Sequence, residues 1–212
     1  DTLTAIDHLR ALDWPADDLE IVVVENASGD DSAARLRGVQ GITLVEAAEN
    51  LGFAGGCNLG VSRAAGQFIA FLNNDARPDR GWARAAVSRL RSAADIGAVA
   101  TKVLDWEGEH VDFVDAGLTW YGMGYKPLTA ETFTRDTVPA GGSVLFGTGS
   151  SMFVRRDVFE QLGGFDERFF MFFEDVDFGW RVNLAGWRFA YEPASIAYHR
   201  HHASMTSFGQ WK

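Results

Sequence analysis

The chain has little of what several classes of protein require. A single cysteine among 212 residues, Cys57, excludes an internal disulfide and a cysteine-based zinc site. No apolar run approaches the ~18 residues needed to cross a bilayer, and no basic segment precedes an apolar signal core. Only 19 basic side chains stand against 29 acidic ones, a net charge of −10. Without a block of Lys or Arg, binding to the phosphate backbone of nucleic acid is not expected.

The chain does contain the material for a packed core. Hydrophobic residues make up 47% of the sequence and aromatic residues 13%, which excludes disorder as the main state. We expect a single domain over residues 1–212. Because the chain begins at Asp1 without a methionine, we expect a piece of a longer protein. We expect a cytoplasmic location, and for the full-length protein we also consider association with the inner face of the membrane.

Apolar runs alternate with helical patterns through the first half of the chain. Continuous apolar runs predict strands that are buried on both faces of a parallel sheet, at residues 21–24, 42–45 and 68–72. Apolar spacing predicts helices at residues 2–12, 32–37, 57–65 and 82–94, and a further strand at 98–104. Alternation of strands with helices predicts crossover connections and an α/β fold.

The second half of the chain is less regular. Residues 105–142 hold scattered Gly, Pro and aromatic residues, and predict a long irregular insert of a kind that is often functional. Beyond it we expect a helix from Glu174 that stops at Gly186. Strands are predicted at residues 150–155, 187–191 and 195–199, and a helical turn at 157–162.

A first polar cluster follows the predicted strand at 68–72. Asn73, Asn74 and Asp75 stand where open α/β sheets bind their ligands. Asn and Asp also favour turns, and taken alone the turn is the more common explanation. One carboxylate with amides suits Mg²⁺ or Mn²⁺, which keeps waters and ligand phosphates in its shell.

A second polar cluster begins the helix at Glu174. Glu174 and Asp175 follow five bulky apolar residues, 169–173, and such a wall raises the pKa of a neighbouring carboxyl by desolvation. Either residue is therefore a candidate general base near neutral pH. The helix macrodipole is the structural alternative for both, and an i,i+4 ion pair with Arg181 explains Asp177.

Histidines and glycines form two further groups. Three of the five histidines are His199, His201 and His202, which favours metal binding although the spacing matches no zinc signature. The glycine-rich segment 50–56 lies between a predicted strand and a helix, where backbone can approach a ligand. The sequence contains no dinucleotide-binding glycine pattern, no Gly-Lys-Ser/Thr phosphate loop and no Gly-x-Ser-x-Gly elbow.

Taken together, these segments resemble the family 2 glycosyltransferases, particularly their rhamnosyltransferase-like bacterial branch. The matching motifs stand in family order over most of residues 20–205 and leave 105–142 unmatched. They are IVVVENAS (21–28), NLGFAGGCNLG (50–60), FLNND (71–75), GTGSSM (147–152), GGFDERFF (163–170), EDVD (174–177), GWR (186–188), and His199 ahead of Ser204.

The resemblance implies a GT-A fold, an α/β domain whose mostly parallel central sheet is flanked by helices. The family's first strand is missing from this chain, which starts in the helix after it. The resemblance also implies inverting transfer of a sugar from a dTDP-, UDP- or GDP-linked donor to the hydroxyl of a glycan or lipid-linked acceptor, with Mn²⁺ or Mg²⁺ as cofactor. Residues 1–104 would bind the nucleotide sugar and residues 143–212 would form the acceptor and catalytic half.

The resemblance also implies roles for individual residues. Asp175 would be the catalytic base with Glu174 beside it, and Asp75 and His199 would bind the metal. Asn73 stands where the metal element usually begins with Asp, which predicts weaker metal affinity, and Glu25 replaces a more usual Asp. The nucleotide would contact Glu25, Asn26, Asn50, Gly52, Gly56, Asn58 and Asn74, and the sugar and acceptor would contact Gly149, Ser150, Trp180 and Arg181.

Two other functions compete with sugar transfer. A non-catalytic domain that binds a sugar nucleotide or a glycan is compatible with the missing strand and the incomplete metal element. A glycosidase that uses Glu174 and Asp175 as its pair is disfavoured. Adjacent residues of one helix cannot flank a glycosidic bond at the carboxyl separations of ~5 to 9 Å that such enzymes use.

Overall fold

The computed structural model describes residues 1–120, 123–125 and 141–200. The helices in these ranges are α1 (Thr2–Arg10), α2 (Ser32–Leu36), α3 (Gly52–Arg63), α4 (Trp82–Arg91), α5 (Arg156–Gln161) and α6 (Glu174–Leu184), with short 3₁₀ helices at Ala16–Asp18 and Glu167–Phe169. The strands are β1 (Val22–Glu25), β2 (Thr43–Glu46), β3 (Phe68–Leu72), β4 (Ala76–Pro78), β5 (Ile96–Asp105), β6 (Val111–Phe113), β7 (Gly117–Leu118), β8 (Gly124–Tyr125), β9 (Ser143–Val144), β10 (Ser151–Arg155) and β11 (Arg188–His199).

The larger sheet has the strand order β3-β10-β5-β11-β4, with β6 added to β5 and β9 added to β11. The long strands β5 and β11 pair in parallel. Strand β3 runs in the same direction as β5, because β10 lies antiparallel between them. The α/β fold and the common direction of its main strands are therefore as predicted. Strands β4, β6, β9 and β10 run the opposite way, a direction that apolar runs do not encode.

Strands β1 and β2 form a separate parallel pair at the side of this sheet. Helix α3 packs against the pair, and a Cβ atom on Gly60 would lie 3.0 Å from Val24 Cγ2. No strand ladder in the described ranges joins β1 to β3. Residues Val22 to Val24 are only half-buried, Thr43 in β2 is exposed, and Ala70 in β3 is exposed. The prediction that the runs 21–24, 42–45 and 68–72 are buried on both faces is therefore wrong. A strand with a single strand neighbour and one covering helix keeps part of its surface in solvent.

The core lies on both faces of the larger sheet. On one face, α4 covers the sheet with side chains at helical spacing, among them Trp82, Ala86 and Leu90. On the other face, Phe165 and Phe178 pack with their ring centroids 5.2 Å apart. Strand β5 lies between the two layers and is buried along most of its length. This rigid centre positions the strand ends from which the polar clusters project.

Most predicted boundaries differ from the observed ones by one to three residues, and two differ in a way that changes the description of the fold. Helix α3 begins at Gly52, five residues before the predicted start at Cys57, so most of the glycine-rich segment is helical rather than loop. The segments predicted at 187–191 and 195–199 form one strand, β11, with an irregularity in register between Glu192 and Ile196. The insert at 105–142 lies partly outside the described residues, and its described part contains β6, β7 and β8.

Among the described residues, no helix combines the length and apolar character needed to span a bilayer.

Candidate active site

The first group of predicted site residues lies where β1 ends and α3 begins. Asn26 donates from Nδ2 to the carbonyl of Gly52 (2.9 Å), and its Oδ1 accepts from the Leu51 N–H (3.0 Å). Asn50 Oδ1 accepts from the Gly52 N–H (2.9 Å), and Gly56 faces the Asn26 amide from within the helix. The asparagines thus fasten the end of β1 to the first turn of α3, beside a stretch of glycine backbone.

Glu25 is the last residue of β1 and is buried. Its Oε1 accepts from the Ser28 backbone N–H (2.9 Å) and from the Ser28 hydroxyl. These bonds hold the turn that follows β1. Glu25 lies next to Asn26 at the end of β1, and the contact of both with a nucleotide stays a prediction.

The predicted metal residues meet at the junction of β4 and β11. These strands pair with His199 opposite Ala76, which places the imidazole next to Asp75. Asp75 Oδ1 lies 3.3 Å from His199 Nε2, and Asn73 Nδ2 lies 3.4 Å from the same nitrogen. The side chains of Asp75 and His199 are 3% and 12% exposed. Two residues that are distant in the chain thus form one buried pair.

His199 also contacts a carboxylate that the sequence analysis did not identify. Its Nδ1–H donates to Asp112 Oδ2 at 2.9 Å. Burial lowers the pKa of His199, but the hydrogen bonds to Asp112 and Asp75 outweigh burial and raise this pKa to about 9. These contacts hold the imidazole between two buried carboxylates. Asp112 belongs to the insert, and its one sequence signal is a lone acid within the apolar stretch Val111 to Val114.

The loop before β10 joins the metal residues to the predicted base. The Asn73 N–H donates to the Ser150 carbonyl (3.0 Å), and the Gly149 N–H donates to Asp175 Oδ2 (2.9 Å). Asp175 also accepts from the N–H of Val176 (2.8 Å) at the start of α6. Residues 149–150 therefore connect the end of β3 to the first turn of α6.

Glu174 lies deeper than its neighbour. Its residue is 5% exposed, and its Oε2 has no hydrogen-bond partner within the described part of the chain. Burial, followed by the negative charge of Asp175, raises the pKa of Glu174 to about 7. The desolvation that the sequence predicts for this pair is therefore found at Glu174, and Asp175 is half-buried.

A strained aromatic loop precedes these carboxylates. Phe170, Phe172 and Phe173 have φ angles of 54°, 70° and 69°, a left-handed conformation that bulky residues rarely adopt. The Phe170 carbonyl accepts from the Phe53 N–H (2.6 Å) and so holds the loop to the start of α3. Phe169, Phe170, Phe172 and Phe173 are all exposed, which leaves an aromatic surface beside the two carboxylates.

Other predicted site residues have structural partners. Arg181 donates to the carbonyls of Leu162 (2.8 Å) and Gly164 (2.9 Å), and its Nε donates to Asp177 Oδ2 (2.8 Å). The ion pair with Asp177 is the i,i+4 contact expected from the sequence.

The side chain of Asn58 is held by the backbone of Phe165 and by Glu167, at the turn that carries the GGFDERFF motif. Trp180 and Asn74 are exposed. His201 and His202 lie outside the described residues.

A divalent ion at this junction would be held by Asp75 and His199. Within the described ranges, no group of three or more His, Cys, Asp or Glu side chains is placed to hold a metal. The Asp75 Oδ1 and His199 Nε2 atoms nevertheless face each other at 3.3 Å. Such a pair fits Mn²⁺ or Mg²⁺, which completes its shell with water and phosphate oxygens.

Comparison with known families and proteins gives consistent matches. The family model described as Glycosyl transferase family 2 matches residues 2–163, and that of Glycosyl transferase family 21 matches residues 132–211. N-acetylglucosaminyl-diphospho-decaprenol L-rhamnosyltransferase of Mycobacterium tuberculosis is 28% identical over 209 residues, which cover 88% of this chain and 68% of that protein. Rhamnosyltransferase WbbL of Escherichia coli K12 is 38% identical over 87 residues, 41% of this chain and 31% of that protein.

Solved structures share the fold at low sequence identity. The mannosyltransferase PcManGT from Pyrobaculum calidifontis, in complex with GDP-Man and Mn²⁺, has a TM-score of 0.69 and 20% identity. The match covers 96% of this chain and 54% of that one. TarS from S. aureus, in complex with UDP-GlcNAc, has a TM-score of 0.68 and 16% identity, covering 99% and 58%. The chain therefore spans little more than half the length of these two structures.

Proposed function

Because the chain belongs to glycosyl transferase family 2, we propose that it carries out an inverting, metal-assisted transfer of a sugar from a nucleotide diphosphate sugar to a hydroxyl acceptor. The observation that supports this is the loop 149–150, which contacts Asp175 on one side and the Asn73 backbone on the other. The proposed base, Asp175, and the residues proposed to bind the cation then come from separate elements of the fold, which this loop connects. A single displacement requires this, because the base acts on one face of the sugar and the diphosphate leaves from the other.

We assign the base to Asp175. Between the two adjacent carboxylates, Asp175 is half-buried and Glu174 is buried, so Asp175 is the one that an acceptor hydroxyl can reach. The Gly149 N–H orients its Oδ2, and the other oxygen is held by the start of α6. Asp175 would accept the hydroxyl proton as the oxygen attacks the sugar. Glu174 lies beside it and changes its charge near neutral pH.

Asp75 and His199 would hold the divalent ion. When bound, such an ion neutralises the charge that develops on the departing diphosphate. Asn73 lies within reach of His199 Nε2 and supplies an amide in place of a carboxylate. With one carboxylate fewer, we expect weak affinity for the ion alone and tighter binding together with a nucleotide.

We place the donor nucleotide at the patch of Glu25, Asn26 and Asn50, where the asparagines hold the end of β1 to the first turn of α3. On this assignment residues 1–104 form the donor half and 143–212 the acceptor half of one domain. Gly149, Ser150 and the exposed Trp180 would contact the sugar and acceptor. The contacts of Arg181 and Asn58 support a structural role for those two residues.

We propose a lipid-linked glycan as the acceptor. The mycobacterial relative is named for a diphospho-decaprenol acceptor. In this chain, exposed phenyl rings at residues 169–173 directly precede the carboxylate pair, where an apolar portion of an acceptor can pack. A lipid-linked acceptor lies in a membrane. This supports the proposal that the full-length protein acts at the inner face of that membrane. The donor is a dTDP-, UDP- or GDP-linked sugar, as in the complexes of the neighbours with GDP-Man and UDP-GlcNAc.

The test is a matched pair of substitutions in the first turn of α6. Asp175→Asn removes the base, keeps the side-chain volume and can still accept from one of the two backbone N–H groups, of Gly149 or of Val176. We expect transfer to fall by ~10² to 10⁴-fold with donor binding retained. Asp177→Asn makes the same change two residues away, where the carboxylate pairs with Arg181, and we expect transfer close to the wild-type rate. Product formation from radiolabelled donors gives the rate, and nucleotide titration gives binding.

Equal rates for the two variants would remove Asp175 from its role. A wild-type chain that binds nucleotide and transfers no sugar from any donor would favour the alternative, a non-catalytic sugar-nucleotide-binding domain.

A further inference from the structure

Asp112 occupies an unusual position in the short strand β6. Its neighbours Val111 and Phe113 are each 1% exposed and belong to the core. The ladder with β5 pairs Val103 with Phe113 and Leu104 with Val111, so Asp112 is an extra residue that forms a β-bulge. Bulges of this kind redirect a side chain and are frequent beside active sites. The bulge places a carboxylate that is 5% exposed beside a buried imidazole.

The two ring nitrogens of His199 have different partners. Nδ1–H donates to Asp112 Oδ2 at 2.9 Å, and Nε2 faces Asp75 Oδ1 at 3.3 Å. The two nitrogens point in different directions from the ring, so a carboxylate bound at Nδ1 cannot also reach an ion bound at Nε2. Asp112 therefore lies behind the histidine and Asp75 lies in front of it.

We propose that Asp112 is a positioning residue, which fixes the orientation of His199 so that Nε2 is presented to a divalent cation at Asp75. The inference rests on the metal assignment of the proposed function. A ligating histidine that donates its other N–H to a carboxylate keeps its ring fixed and becomes a better ligand, and loss of such a partner typically weakens metal binding 10- to 100-fold. Asp112 lies in the stretch 105–142, in which the sequence motifs identify no site residue, and on this proposal that stretch contributes to the metal site.

The same hairpin contains a natural control. Asp105 accepts from His110 Nδ1 at 2.8 Å, a pair of the same chemistry at the turn between β5 and β6. The side chains of that pair are 31% and 48% exposed, and its histidine does not contact Asp75. Asp105 lies opposite His199 in the β5–β11 ladder, and its side chain bonds His110 Nδ1 and the Glu109 N–H. Asp105→Asn therefore removes a carboxylate from an Asp–His pair next to His199 and keeps the Asp112 carboxylate that bonds His199 Nδ1.

The experiment measures Mn²⁺ affinity by electron paramagnetic resonance of the free ion. It is done with dTDP, UDP or GDP present, whichever nucleotide stabilises the wild-type chain most against heat. We expect Asp112→Ala to weaken Mn²⁺ binding 10- to 100-fold. Asp112→Asn can still accept one hydrogen bond and should lie between Asp112→Ala and the wild type, and Asp105→Asn should match the wild type. Nucleotide binding in EDTA, which does not use the ion, should be the same in all four proteins.

The outcomes separate the two proposals. If the wild type binds Mn²⁺ and both Asp112 variants bind it as tightly, the role of Asp112 is overturned and the metal site stands. If the wild type binds no Mn²⁺ with any nucleotide, the metal assignment of Asp75 and His199 fails, and the role of Asp112 fails with it. If Asp112→Ala does not fold, Asp112→Asn keeps the volume and decides the result. Equal weakening in Asp105→Asn would also refute the proposal.

Discussion

Glu174 offers a test of the site that needs no substrate. Its carboxyl is buried at the start of α6, and burial together with the adjacent Asp175 charge raises its pKa from the ordinary 4.5 to about 7. We predict that the free energy of unfolding of Glu174→Gln, relative to that of the wild type, is higher at pH 8 than at pH 4.5. The glutamine has nearly the same volume and cannot ionise, so it removes the cost of a buried charge.

The sign and size follow from proton linkage. Below pH 4.5 both folded and unfolded states hold the proton, and Glu174 contributes no penalty. As pH rises from 4.5 to about 7, the unfolded state ionises first, so the free energy of unfolding falls. Above about pH 7 the whole penalty is present, about 3 kcal/mol for a pKa difference of this size. The variant should lose none of this stability over the same range.

The assay is urea unfolding followed by tryptophan fluorescence, at intervals from pH 4.5 to 8. The measured quantity is the free energy of unfolding of the variant minus that of the wild type. Any pH-independent effect of the amide drops out of its change with pH. Glu160→Gln on α5 is the control. The Glu160 side chain is 61% exposed, so this substitution removes a charge that water already solvates. Parallel wild-type and Glu174→Gln curves across this range would refute the assignment of a raised pKa to Glu174.

Two further predictions concern the glycine contact and the metal pair. Gly52→Ala places a Cβ against the Phe170 carbonyl at a φ of +70°, and we expect it to destabilise the chain by ~1 to 3 kcal/mol more than Gly163→Ala, which has a similar φ of +78° and open space around it. Urea unfolding measures this, and equal losses would show that the contact is relieved without cost.

Asp75→Asn should abolish the Mn²⁺-dependent stabilisation by nucleotide, which for the wild type is about 2.7 kcal/mol at 100 times the dissociation constant. Asp79→Asn is the control, because the amide oxygen of the new side chain can still accept from the Gly81 N–H. This variant should retain the Mn²⁺-dependent stabilisation in the same thermal-shift assay.

Local patterns predict elements where a single helix or strand decides them. The apolar run at 68–72 coincides with β3, and the helical spacing from Trp82 coincides with the start of α4. The start of α3 was mispredicted because glycine has low helix propensity. That helix begins where the distant Phe170 carbonyl accepts N–H groups from its first turn. The antiparallel direction of β10 could not be predicted either, because an apolar run indicates that a strand is buried and does not indicate the direction of the neighbouring strands.

Motifs predict candidate site residues, and tertiary contact adds partners that no motif shows. Asp75, Glu174, Asp175 and His199 were expected from the resemblance, and the structure brings Asp75 to His199 through the pairing of β4 with β11. Asp112 has no motif, because its position depends on a bulge whose pairing is not visible in three residues of sequence. Arg181 donates to carbonyls of the turn at 162–164, partners that the sequence does not reveal, and its contact with sugar or acceptor stays a prediction.

The charge around the site explains why metal and donor should bind together. Asp75, Asp112 and the carboxylate pair of α6 give the site negative side chains, in a chain with a net charge of −10. The arginines nearest the metal pair are engaged elsewhere: Arg77 stacks 4.0 Å from the centroid of Tyr198, and Arg200 stacks 4.2 Å from that of Trp106. On the proposed assignment, a diphosphate that approaches Asp75 needs the divalent ion to offset the charge of these carboxylates. Donor affinity should therefore depend steeply on the divalent ion, and losing Asp75 should lower both together.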